Sequence, residues 1–92
     1  MAIPLTRLHL IVKGRVQGVG FRWFVREQAE ARALAGWTRN LRDGTVECEV
    51  EGPQDEVAGF VELLKTQHPS ARVDAVESQT LSPRGEKGFE IR

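Results

Sequence analysis

The sequence contains few of the residues that would mark a secreted or membrane protein. Cys48 is the single cysteine among 92 residues, so it cannot form a disulfide within the chain. A lone cysteine excludes a disulfide-rich scaffold and favours a reducing compartment. Residues 1–11 lack the long apolar run of a signal peptide, and no stretch has the apolar length that spans a bilayer. We therefore expect a cytoplasmic protein that does not enter a membrane.

The net charge is zero at pH 7, because 13 Lys and Arg residues balance 13 Asp and Glu residues. Without a global positive field, no nucleic acid is expected as a partner. Residues 1–46 nevertheless carry eight basic and three acidic residues, whereas residues 47–92 carry five and ten. This asymmetry favours a small anionic ligand in the first half of the chain, and it is too small for a nucleic-acid backbone.

The apolar pattern predicts one small α+β domain over residues 1–92. The chain is long enough for one core, and its 40% hydrophobic and 28% charged residues are typical of a folded globular domain. Alternating apolar residues predict strands, and apolar residues at a spacing of three or four predict helices. The predicted elements are a strand at 7–13, a helix at 21–34, a strand at 36–41, a strand at 46–51, a helix from 53 to about 68, a strand at 73–81 and a short strand at 89–91.

Turn signals and the third strand complete the expected architecture. Gly36 is expected to stop the first helix, and Asp43-Gly44 is expected to form a two-residue hairpin turn. The strand at 46–51 alternates apolar residues with glutamates, so one face of the sheet should meet solvent and the other should be covered. Both helices must then lie on the covered face. The prediction is a ferredoxin-like two-layer sandwich, β-α-β-β-α-β with a short C-terminal strand and two helices on one face of an antiparallel sheet.

A glycine-rich segment between the first strand and the first helix is the main functional signal. Residues 14–22 read Gly-Arg-Val-Gln-Gly-Val-Gly-Phe-Arg. Glycines allow successive backbone N–H groups to face inward around an anion, and the following helix directs its positive end at the same place. The segment fits neither the Walker phosphate loop nor the dinucleotide fingerprint. On these residues alone, a phosphate loop and a merely tight, irregular turn both stay open.

Two longer motifs carry a resemblance to the acylphosphatase family. Residues 14–22 are similar to the first signature of that family, and residues 36–47, Gly-Trp-Thr-Arg-Asn-Leu-Arg-Asp-Gly-Thr-Val-Glu, are similar to its second. Gly52 and residues 71–76 match as well, so the resemblance covers nearly the whole chain. It implies hydrolysis of the carboxyl-phosphate bond of acyl phosphates to a carboxylate and inorganic phosphate.

The resemblance also implies the site residues. The predicted phosphate-binding residues are Arg15, Val16, Gln17, Gly18, Val19, Gly20 and Arg22, and the predicted catalytic residues are Arg22 and Asn40. Arg22 would clamp the phosphoryl group and Asn40 would hold the attacking water. These roles fit the side chains, because a guanidinium pairs two phosphoryl oxygens and an amide orients water without changing its charge. Inorganic phosphate or sulfate is expected as a site ligand.

No cofactor and no metal site are predicted. His9, His68 and Cys48 lack metal-ligand spacing, and Cys48 is expected to be a buried small hydrophobe. The carboxylate leaving group needs no general acid, because its conjugate acid has a pKa of about 4. Two tryptophans, Trp23 and Trp37, either cover apolar surface or stack on the acyl group, and we favour the first.

Three other functions are compatible with the fold. An RNA-binding module is disfavoured by the acidic strand at 46–51, which lacks an aromatic residue. A regulatory small-molecule-binding domain would leave the two signatures unexplained. A family member without activity is disfavoured by the presence of both Arg22 and Asn40. We expect a monomeric enzyme.

Overall fold

The computed structural model of the chain describes residues 4–92. Along these residues, strands and helices follow one another in the predicted order. The elements are β1 (Leu5–Arg15), α1 (Phe21–Ala31), β2 (Ala35–Asn40), β3 (Val46–Pro53), α2 (Gln54–Thr66), β4 (Arg72–Leu81) and β5 (Phe89–Ile91). Within the described residues, neither helix is long and apolar enough to cross a membrane.

The strands form one sheet in the order β4-β1-β3-β2-β5, and the two helices pack on it. This arrangement confirms the ferredoxin-like sandwich. Strand β3 pairs antiparallel with β1 and β2, and β1 pairs antiparallel with β4. The chain then crosses from the β4 edge to the β2 edge, where β5 pairs parallel with β2. The sheet is therefore mixed, which corrects the prediction of a wholly antiparallel sheet.

The core lies between the sheet and the helices. One face of the central strands and one face of each helix contribute residues that are almost fully buried. They include Leu10, Val12, Val46, Cys48 and Val50 from the sheet, Phe21, Val25 and Ala29 from α1, and Val57, Phe60 and Leu64 from α2. Apolar burial of this kind stabilises the fold by about 25 cal/mol per Å².

Helix α1 ends earlier than the sequence predicts. It stops at Ala31, and Ala33 takes a left-handed conformation with φ 55°. The amide of Leu34 bonds back to the carbonyl of Ala29 at 2.8 Å, so Leu34 enters the core at the helix end. Gly36, the predicted helix stop, instead lies within β2, where a Cβ would stand 1.9 Å from the carbonyl oxygen of Glu49. Close strand packing explains that glycine.

The turn between β2 and β3 is longer than the predicted two-residue hairpin. Residues 41–45 form the loop, and the amide of Leu41 donates to the carbonyl of Thr45 at 2.9 Å. The carboxylate of Asp43 accepts from the amide and the hydroxyl of Thr45. Asp43 therefore shapes a five-residue loop by side-chain bonding, which competes with the tight turn that Asp-Gly favours.

The predicted solvated glutamate face is the clearest error. Glu51 is 4% exposed, and Arg7 on the neighbouring strand is 0% exposed. Arg7 bonds Glu49 at 2.8 Å and Glu51 at 3.1 Å, while the imidazole of His9 lies 2.7 Å from the carboxylate of Glu47. Cross-strand register brings these polar side chains together, so they cover one another instead of facing water.

Candidate active site

The loop between β1 and α1 has the backbone that its glycines allow. Gly18 and Gly20 take φ values of 75° and 76°, a left-handed region that side chains with a Cβ rarely adopt. Neither glycine would bring a Cβ within 4 Å of another atom, so backbone conformation and not crowding requires them. The loop thus turns sharply into the helix and leaves open space above its backbone.

Helix α1 presents an uncapped N-terminus to this loop. Gly20 occupies the N-cap, no side chain caps the first turn, and that turn contains no acidic residue. The first backbone N–H groups of a helix have no partner within the helix, and the helix dipole places partial positive charge there. An anion is therefore the ligand that best fits this position.

A cavity of about 230 Å³ brings the two motifs together. Arg22 lies in the first turn of α1, and Asn40 is the last residue of β2. Both line the cavity, because the beginning of α1 and the end of β2 lie on the same side of the molecule. The residues around the cavity include Val16, Gly18, Gly20, Arg22, Trp23 and Asn40. A basic fork, an amide and an uncapped helix end thus surround one small space.

The remaining predicted phosphate-binding residues, Arg15, Gln17 and Val19, lie outside the cavity lining. Arg15 ends β1 with an exposed side chain, and Val19 packs partly against the core. The side-chain amide of Gln17 lies against the β2–β3 loop. These three residues do not line the cavity, whereas Arg22 and Asn40 do.

Arg22 is half-buried at the cavity. Its Nη1 donates to the backbone oxygen of Arg92, which follows β5, in a long hydrogen bond of 3.4 Å. Hydrogen bonds of this length are weak, so the guanidinium remains available to a stronger anionic acceptor.

The two tryptophans have different surroundings. Trp37 is buried at 7% exposure, with the guanidinium groups of Arg39 and Arg92 within 5.4 Å and 4.9 Å of its ring centroid. Trp23 is 55% exposed beside the cavity, and the guanidinium of Arg26 lies 4.2 Å from its ring centroid. The prediction that both rings cover apolar surface therefore suits Trp37 but not Trp23.

The other candidate residues lie outside the cavity. Cys48 is fully buried, and burial raises the pKa of its thiol to about 12, so it stays protonated. His68 packs its ring against Phe21 and Phe24, and its Nδ1 accepts from the amides of Ser70 and Ala71. Within residues 4–92, no three His, Cys, Asp or Glu side chains are placed to share a metal ion.

A larger hollow of about 640 Å³ lies elsewhere on the molecule. It is bounded by Leu34, Phe89 and the segment at 85–88, and it includes the carboxylates of Glu30, Glu51 and Glu86 against the single amine of Lys87. None of the residues that line it belongs to the motifs at 14–22 and 36–47, so the smaller cavity at Arg22 is the candidate site.

Sequence reasoning missed two features of the molecule. One is the cluster that the buried Arg7 forms with Glu49 and Glu51. The only sequence signal for it is a charged residue within a strand of alternating apolar residues. The other is the side-chain link from Gln17 to the loop at 41–45. Both depend on contacts between segments that are far apart in sequence.

Comparisons with known proteins agree with the geometry. A sequence model of the acylphosphatase family matches residues 8–91. The chain is 50% identical over 90 residues to an acylphosphatase of Moorella thermoacetica, covering 98% of this chain and 97% of the relative.

Solved structures share the fold of this chain. The crystal structure of acylphosphatase from Bacillus subtilis superposes with a TM-score of 0.91 at 42% identity, covering 97% of this chain and 99% of that one. A structure of full-length HypF in a phosphate- and nucleotide-bound form matches all of this chain at 26% identity and a TM-score of 0.87, over 12% of its own length. The family match, the close relative and the shared structure together establish that this chain belongs to the acylphosphatase family.

Proposed function

We propose that Arg22 and the backbone of residues 15–20 bind the phosphoryl group while Asn40 orients the attacking water. The reaction is the one that family membership gives this chain: hydrolysis of the carboxyl-phosphate bond of acyl phosphates. The observation that supports the proposal is that the loop between β1 and α1, Arg22 and Asn40 line the same cavity.

Water attacks phosphorus in line with the bond to the acyl oxygen. The new bond forms between the water oxygen and phosphorus, and the bond between phosphorus and the acyl oxygen breaks. The carboxylate departs with the bonding electron pair, and the proton of the water passes to a phosphoryl oxygen. Arg22, the loop amides and the end of α1 stabilise the negative charge on the phosphoryl oxygens throughout.

Asn40 supplies position and not basicity. An amide has donors and an acceptor, so it can hold water in the attacking direction without taking up its proton. The leaving carboxylate is a weak base, which removes the need for a general acid. The proposed hydrolysis is therefore independent of metals and cofactors.

Phosphate release from benzoyl phosphate in the presence of EDTA tests this function. We expect full activity under exhaustive chelation, and rescue of a chelated, inactive enzyme by a divalent ion would contradict the mechanism. Phosphomonoesters should be poor substrates, because an alkoxide leaving group needs the acid that this site lacks.

Arg22→Ala and Asn40→Ala separate the two roles. Arg22→Ala should weaken inhibition by phosphate and lower kcat together, because the fork is used before and during the reaction. Asn40→Ala should lower kcat about a hundredfold or more with little change in phosphate affinity, because only positioning of the nucleophile is lost. Circular dichroism checks folding, and Arg32→Ala, at the other end of α1, is the matched control. Near-normal kcat in a folded Asn40→Ala variant would refute its role.

We also propose that residues 1–92 form a single domain that acts as a monomer in the cytoplasm. One hydrophobic cluster joins both helices to the sheet, which supports a single domain. The buried, protonated thiol of Cys48 is compatible with a reducing compartment. Light scattering after gel filtration measures the mass, and a dimer would refute the monomer.

A further inference from the structure

The side chain of Gln17 joins the two loops that carry the active site. Its Nε2 donates to the carbonyl of Leu41 at 2.7 Å and to the carbonyl of Thr45 at 2.9 Å. Gln17 belongs to the loop at 16–20 between β1 and α1, whereas Leu41 and Thr45 are the first and last residues of the loop between β2 and β3. The contact spans 24 and 28 positions in sequence.

The contact depends on the donors of the Gln17 amide. Both neighbouring groups are carbonyl oxygens, which only accept, so the nitrogen end of Gln17 must face them. An amide nitrogen has two N–H bonds, and two acceptors lie within 2.9 Å of it. These contacts use both donors, so the side chain has no N–H left for a phosphoryl oxygen.

The loop that Gln17 holds is itself firmly bonded. The amide of Leu41 donates to the carbonyl of Thr45 at 2.9 Å, and the amide of Gly44 donates to the carbonyl of Leu41 at 3.2 Å. Asp43 accepts from the backbone and hydroxyl of Thr45 at 3.0 and 2.6 Å. These internal bonds fix the shape of the loop, and the two bonds from Gln17 tie that ordered loop to the segment between β1 and α1.

Asn40 directly precedes this loop, and Val16 and Gly18 directly flank Gln17. Asn40, Val16 and Gly18 all line the cavity. The amide of Gln17 therefore acts between the backbone that would surround the phosphoryl group and the residue that would hold the water. Any change in the separation of the loops would shift the water relative to phosphorus.

We infer that Gln17 is a positioning residue, which sets the distance between the bound phosphoryl group and the water held by Asn40. The inference rests on the proposed roles of Arg22, the loop and Asn40. Errors of about 1 Å in the placement of reacting groups can cost a hundredfold in rate. Gln17 thus supports catalysis through Asn40 without touching the substrate with its side chain.

Gln17→Met tests the inference, because methionine keeps the length of the side chain and removes its donors. We expect kcat for benzoyl phosphate to fall about tenfold to a hundredfold, while the inhibition constant of phosphate stays within about twofold. Gln17→Asn keeps the amide on a shorter stem and should show the same split. Gln67→Met is the matched control, because the exposed side chain of Gln67 contacts its neighbour Thr66 away from the cavity. Circular dichroism checks folding.

A double-mutant cycle separates positioning from general stabilisation. If Gln17 acts through Asn40, adding Gln17→Met to Asn40→Ala should lower kcat by no more than about a further twofold. Three outcomes would overturn the inference. The kcat losses of the two single variants could multiply in the double variant, or phosphate affinity could fall as much as kcat. The third is a normal kcat in both Gln17 variants. The proposed function is judged separately, by wild-type hydrolysis and by Asn40→Ala alone.

Discussion

Burial keeps the thiol of Cys48, the most nucleophilic type of side chain in this protein, in its unreactive protonated form. Cys48 lies on β3 at 0% exposure, and its Sγ is 3.1 Å from the hydroxyl oxygen of Thr38. A thiolate is the reactive form of cysteine, and a buried site disfavours the charge that it carries. Because burial raises the pKa of this thiol to about 12, almost none of it ionises at neutral pH.

Cys48 is therefore expected to resist thiol reagents in the native protein. Incubation with Ellman's reagent near pH 8 should label less than about a tenth of the protein, and hydrolysis of benzoyl phosphate should be unaffected. Complete labelling in denaturant provides the control for reagent quality. Rapid labelling of the folded protein, or loss of activity with labelling, would contradict a buried structural role.

At the scale of elements, a carboxylate of β3 holds the segment that connects β4 to β5. Glu51 accepts from the amide of Arg84 at 2.6 Å and from the amide of Gly85 at 2.8 Å, and from the guanidinium of Arg7 at 3.1 Å. Burial by itself would raise the pKa of Glu51, but these three donors outweigh it and hold the pKa below its usual range. The ionised carboxylate thus anchors the path of the chain to β5.

This lowered pKa links the fold to acid stability. The unfolded chain binds a proton at Glu51 at a higher pH than the folded chain does, so acidification favours unfolding. The contribution is complete above the ordinary pKa of glutamate, about 4.3, and is lost as the pH falls through the lower folded value. Glu51→Gln should be less stable at neutral pH and should lose less free energy of unfolding between about pH 6 and pH 3.

Urea unfolding across that pH range measures the effect. The control is Glu62→Gln on α2, whose side chain is 72% exposed and should leave the pH dependence almost unchanged. A Glu51→Gln variant with the same pH dependence as the parent would show that Glu51 does not provide this stability.

At the scale of the whole molecule, the proposed site couples ligand binding to folding. The loop between β1 and α1, the first turn of α1 and the end of β2 line the cavity together, so the site requires the assembled sheet and helix. A ligand that binds only the folded chain raises its stability by mass action, by about 2.7 kcal/mol at a hundredfold excess over Kd.

Inorganic phosphate or sulfate should therefore inhibit competitively and raise Tm in thermal unfolding. Sodium chloride at matched ionic strength controls for general salt effects. Arg22→Ala should lose most of the increase, because the guanidinium fork contributes to anion binding. An equal increase of Tm in Arg22→Ala and the parent would place the stabilising anion elsewhere.

Much of the element order can be predicted from local patterns. Period-two alternation identifies β1 and β3, and apolar spacing of three and four identifies α1 and α2, because these signals depend only on near neighbours. The errors occur where distant segments meet. The end of α1 near Leu34, the strand position of Gly36 and the parallel pairing of β5 all depend on packing across the sheet.

The sequence by itself determined the fold class, the family resemblance and the two motifs at 14–22 and 36–47. Tertiary structure alone decided that Arg7 is buried among glutamates and that Gln17 bonds the carbonyls of Leu41 and Thr45. A pattern in sequence gives the face on which a side chain lies. It does not give the partner that another strand or loop brings to that face, because the partner depends on register, loop path and close packing between residues more than 20 positions apart.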